Sequence, residues 1–189
     1  SSGVNPLRGQ NNVQGACDMG SLPNVYPGYQ AVTSPEAKAK FESAWGVELS
    51  DRPGLTHTEI FDACHEGNIS ALYLVGENPV LSEANANHAI ESMKEVDFLV
   101  VQDIFMTETA ELADVVLPAV TFAEKDGTFT NTERRVQRVR KVIDPVGDSK
   151  PDWWITCQLS KRLDGKGFDF SDPEEIMEEI SSLTPSYKG

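Results

Sequence analysis

Ile69-Ser70-Ala71-Leu72-Tyr73-Leu74-Val75 is closed by Gly76-Glu77-Asn78-Pro79, Phe98-Leu99-Val100-Val101 by Gln102-Asp103, and Val115-Val116-Leu117 by Pro118. Each run is short, apolar along nearly its whole length and bounded by turn residues, the pattern of a strand buried on both faces. Between the first two lies Ser82 to Val96, with Ala89, Ile90 and Met93 at helical spacing. Between the second and third, Thr107 to Ala113 reads as a short helix. Strands apolar on both faces and alternating with helices predict an α/β fold, a parallel Rossmann-like sheet flanked by helices and covered on both sides.

Outward from this centre the signals change. Upstream, Thr56-His57-Thr58-Glu59 is a capping-box pattern that starts a helix running to Gly67. Ser34 caps and Pro35 opens another helix that ends at Trp45, before Gly46. Ser1 to Gln30 is rich in Gly, Asn and Pro and reads as ordered loop with short helical turns. Downstream of Pro118 the alternation is lost, and Thr128 to Val142 reads as a β-hairpin turning near Asn131. Two C-terminal helices follow. One opens at Pro151-Asp152 and carries Trp153, Trp154, Ile155, Leu159 and Leu163 as packing residues; the other opens at Asp172-Pro173 and is acidic. The expected division is a loop segment over 1–30, an α/β binding domain over 31–120, and over 121–189 a hairpin and helices belonging to an adjoining domain.

The 189 residues are 39% hydrophobic and 24% charged, within the globular range, and suffice for one domain of usual size plus a lesser unit. A formal net charge of −14 argues against nucleic acid as a partner, because phosphate binding needs concentrated Lys and Arg. The local exception is Arg134 to Lys141, a basic strand that reads either as a solvated edge or as a docking face for an acidic partner. No apolar run reaches membrane-helix length, and the first residues lack the apolar centre of a signal peptide. Cys17, Cys64 and Cys157 are scattered, which predicts reduced thiols in a cytoplasmic setting and no metal site made by this chain alone. His57, His65 and His88 read as surface or packing residues of helices.

In an open parallel sheet, ligands bind outside the carboxyl ends of the strands. Gly76-Glu77-Asn78 with Ser82, and Gln102-Asp103 with Thr107, place Gly, amides and carboxylates at two such ends. Gly lets backbone approach closely, and a carboxylate accepts two N–H bonds from a guanine edge. A nucleotide-like ligand fits these groups. Ordinary caps and turns would use the same residues.

The segment Val4-Asn5-Pro6-Leu7-Arg8-Gly9-Gln10-Asn11-Asn12-Val13-Gln14-Gly15-Ala16-Cys17-Asp18-Met19-Gly20 closely resembles a signature of the formate dehydrogenase catalytic subunit, a branch of the molybdopterin oxidoreductases. The resemblance continues in order through Leu22-Pro23, Tyr26 to Tyr29, Gly76 to Pro79, Val101 to Ala110, Ala113 to Pro118, Gly127 to Gln137 and Pro151 to Trp153. The first block is specific to formate dehydrogenases; the later ones fit many members of the superfamily.

The resemblance implies an enzyme that oxidises formate to carbon dioxide and passes two electrons to molybdenum or tungsten, then to iron–sulfur clusters. It implies bis-molybdopterin guanine dinucleotide as cofactor, and a 4Fe-4S cluster whose ligands lie outside this chain. It implies that Arg8 faces the substrate, that Gln10 lies against a pterin, and that Gly76, Glu77, Asn78, Ser82, Gln102, Asp103 and Thr107 meet one guanine dinucleotide arm. Ser82 departs from relatives that carry Thr there, keeping the hydroxyl. The expected partners are formate, the remainder of the catalytic subunit and an electron-transfer subunit, with no nucleic acid and no membrane segment. The chain is expected to be an internal piece, inactive by itself. A piece of another molybdopterin oxidoreductase, or of a scaffold subunit that has lost the metal, is the alternative.

Overall fold

The computed structural model describes residues 9–188. Arg8 lies outside them. In chain order come helix α1 (Val13–Asp18), strands β1 (Val25–Tyr26) and β2 (Gln30–Ala31), and helices α2 (Pro35–Trp45) and α3 (His57–His65). Strand β3 (Ala71–Val75), helices α4 (Pro79–Ser82) and α5 (Ala86–Glu95), and strands β4 (Phe98–Asp103) and β5 (Val115–Pro118) follow. Hairpin strands β6 (Gly127–Thr130) and β7 (Val136–Val139) precede helices α6 (Asp152–Arg162) and α7 (Pro173–Leu183). The α/β class, the parallel sheet flanked by helices, the antiparallel hairpin and the C-terminal helices all stand as expected. Among the described residues no helix is long and apolar enough to cross a membrane.

The chain divides into two compact units. The first takes the residues up to Gly54, then Lys125–Val142 and those from Trp153 on; the second takes Leu55–Glu124 and Ile143–Asp152.

The second unit is built on a parallel sheet in the order β3-β4-β5, with Tyr73 beside Val100 and Val101 beside Val116. Its helix α3 opens on the expected capping box: Thr56 donates from both N and Oγ1 to the Glu59 carboxylate, at 2.7 and 2.6 Å. The core gathers Phe61 of α3, Ala89 and Met93 of α5, Leu99 and Val101 of β4, and Ala110. Two local expectations are corrected. Ser82 to Val96 is not one helix: Ser82 ends α4, and Asn85 caps α5 by accepting from His88 N at 3.2 Å. The stretch Thr107 to Ala113 forms only a 3-10 turn over Ala110–Leu112.

The sheet is also not covered evenly. Leu72, Leu74, Leu99, Val101 and Val116 meet the core, whereas Tyr73, Val75, Phe98 and Val115 on the opposite face are 42%, 51%, 46% and 37% exposed. Topology explains this. Strand order rises without reversal, and right-handed crossovers taken in one direction put every connection on the same face. Covering the other face from within would need a crossover in the opposite direction.

Glu124 shows how this unit is closed. Its buried carboxylate accepts from Thr121 N at 2.8 Å and Val146 N at 2.9 Å. The hydrogen bond from the Thr121 backbone holds its pKa below the ordinary value, against the opposing effect of burial. A depressed folded-state pKa stabilises above the unfolded-state pKa and loses that contribution as pH falls through the folded one. The unfolding midpoint is therefore expected to drop on acidification below the ordinary glutamate range, and more gently in Glu124→Gln. Equal slopes for both proteins in a pH series of thermal melts would contradict the assignment.

The first unit packs Tyr26, Val32, Ala37 and Phe41 with Trp45, Leu49 and Leu183. The Phe41 ring lies 4.9 Å from Tyr26 and 4.8 Å from Trp45, within the range of favourable aromatic pairs. Helix α2 has the predicted ends: Ser34 Oγ accepts from Ala37 N at 3.2 Å, and Gly46 stops it at φ 66°. Helix α7 joins this core through Trp45 Nε1, which donates to Glu179 at 3.0 Å. In α6, Ile155 is buried as expected, but Trp154 and, just past the helix end, Leu163 are exposed.

Candidate functional site

At the carboxyl ends of β3 and β4 two loops are bonded to each other. Gly76 N donates to Gln102 O at 2.8 Å. Gly76 has φ +64°, a conformation that favours glycine, and open space where a Cβ would be. Asn78 is the second tie. Its Oδ1 accepts from Thr109 Oγ1 at 2.6 Å, and its Nδ2 donates to Glu108 at 2.9 Å. Thr109 is fully buried, and its Oγ1 in turn accepts from Val80 N at 3.2 Å. The hydrogen bond from Asn78 holds the Glu108 carboxyl below its ordinary pKa.

The remaining predicted residues line the same two loops. Ser82 Oγ donates to Glu77 at 2.5 Å, Asp103 Oδ1 accepts from Phe105 N at 3.1 Å, and Thr107 Oγ1 accepts from Ala110 N at 3.1 Å. Glu77 and Ser82 are exposed, and Leu81, Phe105 and Met106 beside these residues are exposed apolar groups. Gln102 differs. Its side chain is buried, with Nε2 donating to Asp152 Oδ1 at 2.7 Å and Oε1 accepting from Tyr73 Oη. Burial, then the nearby Asp152 charge, raises the Tyr73 pKa. Gln102 therefore acts as a strut under the loops, with its amide engaged on both sides. Gln10 lies in the first unit, exposed, just ahead of α1.

Sequence reasoning passed over Tyr73, Asp152 and Glu108, whose roles come from partners distant along the chain. It also passed over Asn12, which enters α1 at φ 59° with its Oδ1 accepting from Thr130 N at 2.9 Å. Gly15 lies directly under it: a Cβ there would sit 2.2 Å from Asn12 Oδ1. Gly15→Ala is thus expected to break the bond to Thr130 and cost about 1–3 kcal/mol through overpacking. Unfolding in denaturant measures it, and an unchanged midpoint would contradict the contact.

The family model described as molybdopterin oxidoreductase matches residues 1–162. The chain belongs to this family. Among molybdopterin oxidoreductase relatives, the F420-dependent formate dehydrogenase subunit alpha of Methanocaldococcus jannaschii is 54% identical over 189 residues, covering 100% of this chain and 28% of that protein. The F420-dependent formate dehydrogenase 2 subunit alpha of Methanococcus maripaludis is 52% identical over 190 residues, again 100% of this chain and 28% of that one. A Bacillus subtilis relative is 53% identical over 186 residues, covering 98% of this chain and 19% of its own length. The chain thus spans between 19% and 28% of the length of these relatives. Acetylene hydratase from Pelobacter acetylenicus superposes with a TM-score of 0.61 at 24% identity, over 78% of this chain and 22% of that one, which supports the fold.

Membership of the molybdopterin oxidoreductases implies a molybdenum or tungsten pterin cofactor. The loops of the second unit fit the organic part of such a group. Glu77 and Asp103 supply carboxylate acceptors, Gly76 permits close approach of backbone, and Leu81, Phe105 and Met106 offer apolar surface to a flat ring.

Proposed function

We propose that the chain is the part of a formate dehydrogenase catalytic subunit that holds bis-molybdopterin guanine dinucleotide and presents an arginine to formate. The observation that carries this reading is the convergence of Gly76, Glu77, Asn78, Ser82, Asp103 and Thr107 on two loops bonded together at the ends of neighbouring parallel strands. That is where α/β sheets bind nucleotides. Asp103 and Glu77 would accept N–H groups of the guanine edge, and Gly76 would let backbone approach the arm closely. Gln102, with Tyr73 and Asp152, supports the loops from behind.

Arg8 orients formate, because a guanidinium is a planar fork of donors that matches a carboxylate and stays charged at any working pH. Formate then gives up the equivalent of a hydride (one proton and two electrons in all) and leaves as carbon dioxide. The cofactor metal, molybdenum or tungsten, would supply the two-electron chemistry when bound, and a 4Fe-4S cluster would be held by the rest of the subunit. Gln10 presents its amide to a pterin. In this reading 1–30 is the active-site segment, 31–120 the guanine dinucleotide domain and 121–189 part of the adjoining domain. The complete enzyme is cytoplasmic and works with an electron-transfer subunit, while the 189 residues alone are inactive.

Asp103→Asn in the full-length protein tests the site. Asparagine still accepts from Phe105 N, so the turn survives, but the paired carboxylate acceptors are lost. Loss of a bidentate base contact is worth about 1–3 kcal/mol. Guanine nucleotide released per protein on denaturation is therefore expected to fall about tenfold after dilution and dialysis. Wild-type retention in a combined Asp103→Asn, Glu77→Gln protein would overturn the assignment.

A further inference from the structure

The loops that follow β3 and β4 are joined at two levels. Next to the strands the joint is backbone, from Gly76 N to Gln102 O. Farther out it is made by side chains, and Thr109 is its centre. Thr109 is fully buried; its Oγ1 donates to Asn78 Oδ1 at 2.6 Å and accepts from Val80 N at 3.2 Å. Thr109 N also donates to Asn78 Oδ1, at 3.3 Å. One hydroxyl thus serves a side chain and a backbone group of the segment after β3, using its single donor and an acceptor lone pair. The Asn78 Nδ2 bond to Glu108 crosses between the loops as well, but it is exposed and competes with water.

Between Asp103 and Thr109 the chain exposes three apolar residues in succession, Ile104 at 43%, Phe105 at 71% and Met106 at 67%. Apolar side chains favour burial, so such a segment stays open only where something holds it. Its own bonds set its shape: Phe105 N to Asp103 Oδ1, Thr107 N to Phe105 O at 3.0 Å, and Glu111 N to Thr107 O at 2.9 Å. None of these reaches the loop that carries Glu77. The Thr109 hydroxyl does, through Asn78. We propose that Thr109 is a positioning residue: its hydroxyl latches the loop bearing Asp103, Phe105 and Met106 to the loop bearing Glu77. The latch fixes the gap between them that the guanine arm enters. This rests on the reading of these loops as the guanine dinucleotide site, and adds to it a buried residue that acts only through others. Two loops already held at the right spacing bind more tightly than two that must be ordered by the ligand.

Thr109→Val in the full-length protein keeps the shape of the side chain and removes the hydroxyl. Guanine nucleotide released per protein on denaturation, after dilution and dialysis, is expected to fall about tenfold, the loss that one buried hydrogen bond can carry. Thr109→Ser keeps the hydroxyl and is expected to hold close to the wild-type content. Phe61→Leu removes packing from the core of the same unit and no hydrogen bond, so it controls for lost stability. It is expected to lower the melting temperature and leave nucleotide content unchanged. Wild-type content in Thr109→Val would overturn the latch. So would equal losses in Thr109→Val and Thr109→Ser, or in Thr109→Val and Phe61→Leu. Loss in the combined Asp103→Asn, Glu77→Gln protein beside wild-type content in Thr109→Val would remove the latch and leave the site reading standing. Wild-type content in that combined protein would overturn both.

Discussion

If Arg8 faces formate as proposed, Arg8→Ala in the full-length protein is expected to lower kcat/KM for formate about 10²–10³-fold, with pterin content unchanged. Formate is small. A carboxylate with one hydrogen offers no apolar surface to grip, so nearly all of its orientation must come from donors to its two oxygens. An arginine supplies both from one rigid plane, and its charge favours the anion before the reaction and offsets the redistribution of charge during it. Arg8→Lys separates these contributions. The charge remains but the fork is lost, so an intermediate loss of about tenfold is expected. Steady-state kinetics on protein normalised to bound pterin reads both variants. Arg8→Ala with wild-type kcat/KM would overturn the proposed role of Arg8.

Gln102→Ala is expected to destabilise the chain by about 2–4 kcal/mol. Part is the cavity left by a fully buried side chain, and part is the desolvation cost of partners left behind. The Tyr73 hydroxyl and the Asp152 carboxylate would each lose a part-buried hydrogen bond. Gln102→Leu keeps most of the volume, so the difference between the two variants isolates the polar part. Tyr73→Phe removes only one partner and is expected to cost about 1 kcal/mol. Thermal melts of the three variants give the ranking, and Gln102→Ala melting with wild type would contradict the strut. The same logic separates Gln102 from Asp103 as a probe. Loss of cofactor in Gln102→Ala would report a collapsed support, whereas loss in Asp103→Asn reports a missing contact.

The sheet and the helix ends were legible because their causes are local. Ser34 with Pro35, Gly46, and Thr56 with Glu59 act within one turn, and each is found at the position its chemistry demands. The break before Asn85 was not legible, since Glu83 and Ala84 are compatible with helix and the cap depends on a side chain turning inward. The open face of the sheet was misread for a different reason. Tyr73, Val75, Phe98 and Val115 are as apolar as buried residues, and only strand order shows that no crossover reaches them. At the candidate site, composition marked the two loops on which the proposal rests but not the division of labour within them. Asn78 and Gln102 are both amides at strand ends; what distinguishes them is contact with Thr109 and Asp152, far along the chain. The role of Arg8 was carried by family resemblance alone.

The way the two units divide the chain has a bearing on synthesis. The second unit takes one long stretch and a short return, and its strands pair with their immediate successors, so its contacts span less of the chain than those of the first. The first unit is assembled from three separated stretches, and one of its ties to Asp18 comes from Tyr187. A nascent chain emerging from the ribosome is thus expected to complete the sheet first. The hydrogen bond between Tyr187 and Asp18 would form only after the turn that follows α7 has cleared the tunnel.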